Sequence, residues 1–92
     1  MKEIIERAER LGYKDQFWTS DDVKHYEEDL NERDKYILLC LIQKWFREEK
    51  NLYIAIKEDT VFVNNVWIGD FESYIEALEE GIKKALEILE KL

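Results

Sequence analysis

The only histidine, His25, has Asp21 four residues before it and Glu28 and Asp29 three and four after it. On a helix that spacing gathers the imidazole and the carboxylates on one face, where one nitrogen and two oxygens could hold a metal. No cysteine or second histidine stands nearby to complete such a site. A solvated acidic helix carrying one incidental imidazole accounts for the same residues, and the expectation is no metal. The aspartates also lack the glycine turn and ligand order of a calcium loop.

Cys40 is the second candidate for chemistry. A nucleophilic thiol needs an exposed, electropositive setting and a base. Cys40 lies between Leu39 and Leu41 in the most apolar stretch of the chain, which predicts a buried, inert thiol. Paired carboxylates carry little information among 22 acidic residues, because neighbours in sequence do not create the apolar pocket that raises one pKa. Gly12, Gly69 and Gly81 are isolated, so there is no glycine-rich phosphate loop. These residues point to no enzyme and no cofactor.

Bulk properties narrow the partners. Ninety-two residues make one domain with one modest core. A hydrophobic fraction of 46% beside 39% charged residues is a globular mix. The formal charge of −8 opposes binding to nucleic-acid phosphates and anionic membranes, and suits a basic partner. A lone cysteine forms no internal disulfide. The N-terminus, charged every few residues, does not read as a signal peptide. The longest apolar run, Tyr36 to Ile42, is far shorter than the roughly 20 residues a membrane helix needs. The expected location is the cytosol.

The elements follow from periodicity. Residues 2–11 read as an amphipathic helix with Ile4, Ile5, Ala8 and Leu11 on one face, ended by Gly12. Glu3–Arg7 and Glu6–Arg10 are spaced for ion pairs. Tyr13 to Thr19 reads as a loop whose Phe17 and Trp18 tuck against the core. Ser20 can cap an acidic helix from Asp21 to about Leu30, with Asp21 and Asp22 in the first turn, where the helix dipole favours them. A long central helix follows, from about Glu32 to Lys50, with Asn31 and Asp34 at its start. Its middle is apolar all round, which predicts neighbours on two sides, within the domain or across a dimer interface.

At Asn51 the period switches to two, in Leu52-Tyr53-Ile54-Ala55-Ile56. Leu52 to Lys57 reads as a strand, turning through Glu58-Asp59 into Thr60 to Val63. Asn64-Asn65 makes a tight turn into Val66 to Ile68, since asparagine tolerates positive φ. One longer strand from Thr60 to Ile68 is the rival reading. Gly69-Asp70 is expected to break the sheet. Ser73 caps the last helix, with Glu76 at the capping-box position. Its apolar stripe is Ile75, Leu78, Ile82, Leu86 and Leu89. Glu79–Lys83, Glu80–Lys84 and Glu87–Lys91 lace the wet side. Ala77, Gly81 and Ala85 form a small-residue groove, with Trp45 the expected ring to fill it.

Two segments, Leu41 to Ile54 and Phe71 to Leu86, resemble a group of small uncharacterised proteins of bacteriophages, prophages and gut bacteria. That group joins a lysine-tryptophan-leucine-arginine-glutamate helix end to a short sheet. It closes with a threonine-tyrosine-glutamate-glutamate-alanine helix. Here Phe46 replaces the leucine, Ser73 the threonine and Ile75 the first glutamate. The match covers about a third of the chain; Ala8 to Tyr13 matches loosely, and Asp15 to Tyr36 has no counterpart. The resemblance implies a fold and a phage-like origin, without an activity. Glu/Lys-rich terminal helices and the absence of proline also suit an artificial sequence. Cys40, His25, three tryptophans and the irregular middle oppose idealised design.

The sheet is the better functional lead. Alternation places Leu52, Ile54, Ile56, Val61, Val63, Val66 and Ile68 on one face. Tyr53, Ala55, Phe62 and Trp67 fall on the other. Helices should cover the aliphatic face. Burial of the aromatic one under the Phe17-Trp18 loop or the first helix is the leading expectation. An open aromatic face would instead be a protein-binding patch; base stacking is opposed by the acidic charge. The stretch Asp21 to Asp34, with seven acids against Lys24 and Arg33, is either a wet face or a mimic of phosphate spacing docking on a host enzyme.

The sequence thus predicts an α+β domain, a three-stranded antiparallel meander packed with a long central and a C-terminal helix. Its expected role is non-enzymatic binding of another protein through Tyr53, Phe62 and Trp67 or through Asp21, Asp22, Glu28 and Asp29. Self-association through the central helix is the further expectation.

Overall fold

The computed structural model describes residues 2–14 and 32–92. The elements in order are helix α1 (Lys2–Arg10), helix α2 (Glu32–Glu49), strands β1 (Ile54–Lys57), β2 (Thr60–Val63) and β3 (Val66–Asp70), and helix α3 (Tyr74–Glu90). The strands form an antiparallel meander in the order β1-β2-β3. This is the α+β fold that the switch in period implied. The acidic segment up to residue 31, with His25 and with Asn31 at the expected helix start, lies outside the described residues, as do Phe17 and Trp18.

Local chemistry sets the element ends. Gly12 sits at φ 107°, in the region only glycine adopts freely, and ends the chain's exit from α1. At the end of α2, Asn51 takes φ 54° and Leu52 N–H returns to the Phe46 carbonyl at 3.0 Å. The chain turns sharply there, so β1 starts at Ile54, two residues after the expected Leu52. Asn64 and Asn65 both have positive φ, 50° and 68°, as a two-residue hairpin turn with right-handed twist requires. Asn64 also extends the ladder: its N–H donates to the Tyr53 carbonyl and its Oδ1 accepts from Tyr53 N–H, both at 2.8 Å. Ser73 caps α3, its Oγ accepting from Glu76 N–H at 3.1 Å.

The third strand corrects the sequence reading. Gly69-Asp70 does not break the sheet, and no single strand runs from Thr60 to Ile68. Val63 pairs with Val66 and Phe62 with Trp67, but Val61 pairs with Gly69 and Thr60 with Asp70. One extra residue, Ile68, is therefore accommodated in a bulge. Thr60 Oγ1 donates to Asp70 Oδ1 at 2.6 Å, closing the far end of the pair.

The core lies between the aliphatic side of the sheet and the helices. Leu52, Ile54, Val61 and Val63 are buried with Ile4, Ile5 and Ala8 of α1, with Leu38, Leu39, Ile42 and Phe46 of α2, and with the Leu78–Ile82–Leu86 stripe of α3. Helix α3 packs on all three strands and on both other described helices. Helix α2 lies against α3 and reaches the sheet at its β1 edge, where Gln43 Nε2 donates to the Ile54 carbonyl at 2.7 Å. On the back of α2, Tyr36 and Ile37 are 38% and 37% exposed in the single chain, so no described element of the domain supplies the second neighbour there.

The groove of Ala77, Gly81 and Ala85 does admit a close neighbour, but the sheet fills it, not Trp45. A methyl at Gly81 would stand 2.8 Å from Ile54 Cγ2 and 2.9 Å from Val61 Cγ1. Trp45 packs elsewhere, 5.5 Å from the Tyr13 ring and 5.0 Å from Phe46, with Lys50 Nζ 5.6 Å above it.

Ion pairs join the helices at their rims. Arg7 grips Glu90 with two nitrogens, Nε donating to Oε2 at 3.0 Å, and so ties α1 to the end of α3. Lys35 reaches Glu79 at 2.8 Å between α2 and α3. Along α3, Glu79–Lys83 and Glu87–Lys91 form as spaced, at 3.8 and 2.9 Å. Lys84 turns to Glu87 at 3.6 Å, while Glu80 pairs with Lys83 at 3.3 Å.

Two outcomes follow from these contacts. Gly81→Ala should destabilise by about 1–3 kcal/mol through overpacking, although alanine is the better helix former by about 1 kcal/mol. Denaturant unfolding measures this, and unchanged or raised stability contradicts the close approach. The hydrogen bond from Arg7 holds the Glu90 carboxyl below the ordinary glutamate range, and the charge of Arg7 adds to it. A lowered folded pKa contributes stability that is complete above the unfolded value and is lost as pH falls through the folded one. Acidification should therefore loosen α1 first, read as faster amide exchange at Ile5 and Ala8. In Glu90→Gln that acid step should be absent; an identical step in both proteins rules the pair out.

Candidate functional site

The solvent side of the sheet carries the exposed aromatics. Register places residues in rows across it, because directly paired residues share a face. Ala55, Phe62 and Trp67 form one row, and Lys57, Thr60 and Asp70 form the row nearer the β1–β2 turn. Tyr53 lies beyond the first row, joined to Asn64. Tyr53 is 54% exposed and Trp67 is 59% exposed, with Phe62 half-buried on the central strand β2. The leading expectation, burial of these rings, is overturned for Tyr53 and Trp67. Helix α1 does not cover them, because Ile4, Ile5 and Ala8 are committed to the core.

Val66 also departs from its assignment. It pairs with Val63, which is buried, yet it is 63% exposed. It sits on the edge strand beside the Asn64-Asn65 turn, so the aliphatic face is left partly bare at that corner.

Cys40 is half-buried, not buried as its apolar neighbours suggested. A helix turns residues 36 and 40 to the same side, and the Tyr36 phenol is pushed up chiefly by its hydrogen bond with the Cys40 thiol. Tyr36 also lies 5.8 Å from the Tyr74 ring, and both rings are partly exposed. Tyr36, Cys40 and Tyr74 thus meet where α2 faces the start of α3, with Ile37 exposed next to Tyr36 on α2, as a second patch. Among the described residues no three His, Cys, Asp or Glu side chains are grouped to hold a metal. Nor, among them, is any helix long and apolar enough to cross a membrane.

The structure brings together Tyr53, Phe62 and Trp67 of the residues selected from sequence. Asp21, Asp22, Glu28 and Asp29 lie outside the described residues. Sequence reasoning missed the patch around Tyr36 and Tyr74. Its signal was an apolar middle of α2 with more apolar positions than one buried face can use. Comparison with protein-family models, with curated proteins and with solved structures finds no match.

If the aromatic face is a surface and not a core, its rings contribute little to folding. Trp67→Ala should cost no more than about 1 kcal/mol, the scale of a cross-strand pair. Phe46→Ala, which empties a fully buried site, should cost about 3–5 kcal/mol. Equal losses in the two variants on denaturant unfolding would show that Trp67 is packed.

Proposed function

We propose that the chain is a small non-enzymatic accessory protein, of phage-like kind and acting in the cytosol, that binds another protein through the open face of its sheet. The observation that carries this reading is the exposure of Tyr53 and Trp67 on one side of the sheet, with Phe62 between them. Tyrosine and tryptophan bring large contact area with few rotors to freeze, which is why such rings dominate interface energetics. A three-stranded sheet needs only one covered face to be stable, so these rings are dispensable to the fold. The acidic charge, −8 over the chain, supports a protein partner over a nucleic acid or an anionic membrane.

A second reading is supported by the Tyr36–Ile37–Tyr74 patch. It would place a second copy of the chain against the uncovered back of α2.

A photo-cross-linking residue placed at position 53, 67 or 76 in the expressing cell separates these readings. The first two should give a common adduct of one mass, and position 76, exposed on α3, should not. Indistinguishable patterns at all three positions contradict a specific sheet surface. Adducts of twice the chain mass, enriched when the cross-linker is moved to position 37, would assign the association to α2.

A further inference from the structure

The charge around the aromatic face narrows what it can receive. Between residues 53 and 72 four carboxylates, Glu58, Asp59, Asp70 and Glu72, stand against one cation, Lys57. All five are exposed. They are not spread evenly. Glu58 and Asp59 form the β1–β2 turn, and Asp70 is drawn to the same end of the sheet by pairing with Thr60. Phe71 N–H donates to the Asp59 carbonyl at 2.9 Å, which holds the strand end carrying Asp70 and Glu72 beside that turn. The face therefore has an aromatic row, Phe62–Trp67, lying next to an acidic end.

Resting on the reading of this face as a docking surface, we infer that its partner presents a basic, arginine-bearing extended segment. A guanidinium is the group whose flat surface stacks on an indole while its edge donates two hydrogen bonds to a carboxylate. Trp67 supplies the ring and Asp70 and its neighbours supply the charge, at adjacent rows of one sheet. Asp70 accepts from Thr60 through one lone pair of Oδ1, which leaves Oδ2 and the other lone pair of Oδ1 for an incoming donor. Lysine fits less well, because its compact ammonium cannot stack and pair in the same plane. An acidic or phosphorylated segment meets like charge and is rejected.

Four synthetic peptides test this against the intact isotopically labelled protein. They have one apolar pattern and carry arginine, lysine, glutamine or glutamate at the polar positions. The arginine peptide should move the Trp67 indole and the Tyr53 and Phe62 amides, bind more tightly than the lysine and glutamine peptides, and weaken with added salt. The glutamate peptide should not bind. Trp67→Ala should weaken the arginine peptide roughly threefold to tenfold. The triple variant Glu58→Gln, Asp59→Asn, Glu72→Gln, which leaves the Thr60–Asp70 pair intact, should reduce both affinity and salt dependence. If the glutamine peptide binds this face as tightly as the arginine peptide, the basic partner is wrong but the docking surface stands. If no peptide moves Tyr53, Phe62 or Trp67, or the arginine peptide shifts Tyr53 and Phe62 equally in Trp67→Ala, both readings fall.

Discussion

The arrangement depends on how closely α3 can approach the sheet. Gly81 lies within touching distance of Ile54 on β1 and Val61 on β2, with no room for a methyl group between. That contact seats one helix on two strands at once. Ala77 and Ala85, buried on either side of it, keep the approach close along two further turns. Glycine inside a helix costs about 1 kcal/mol relative to alanine. The burial of Leu78, Ile82 and Leu86 around it offsets that cost several times over.

From this docking the division of the sheet follows. The aliphatic side chains of Ile54, Val61 and Val63 are buried on the side that α3 covers, while α1 and α2 pack against α3 and α2 reaches the sheet's β1 edge. No described element is left for the other side, so the rings that alternate with those aliphatics face outward. The bulge at Ile68 sharpens the result. It resets the pairing so that Gly69 lies opposite Val61 and Asp70 opposite Thr60, bringing a carboxylate to the outward face. Bulges also blunt an edge strand against pairing with other chains.

Much of this was legible in the residues themselves. Ser73, Asn64-Asn65 and Gly12 act through local geometry, so their types alone announced the cap, the turn and the helix end. The alternation from Leu52 to Ile56 separated the two faces before any tertiary contact was known. What could not be read was which surfaces meet. A stripe of small residues on α3 signals a close neighbour but does not say whether a ring or a strand fills it, and Trp45 found Tyr13 and Phe46 instead. Gly69 looked like a sheet breaker because glycine and aspartate are poor strand residues; the bulge and the Phe71 ring, 3.3 Å from a methyl placed at Gly69, supply the packing that the side chain lacks. Cys40 and Tyr36 sit in an apolar run, yet a helix packed on one side must turn some of that run outward.

The central claim is that α3 and the strands are in direct contact at Gly81, and a double-mutant cycle between Gly81→Ala and Val61→Ala tests it most directly. Residues in contact couple, whereas distant ones add within about 0.5 kcal/mol. Val61→Ala removes one of the two methyls that the new Cβ would strike, the other being on Ile54, so the loss caused by Gly81→Ala should shrink by about 1 kcal/mol in that background. Strict additivity of the two losses would mean that α3 does not dock where the structure has it.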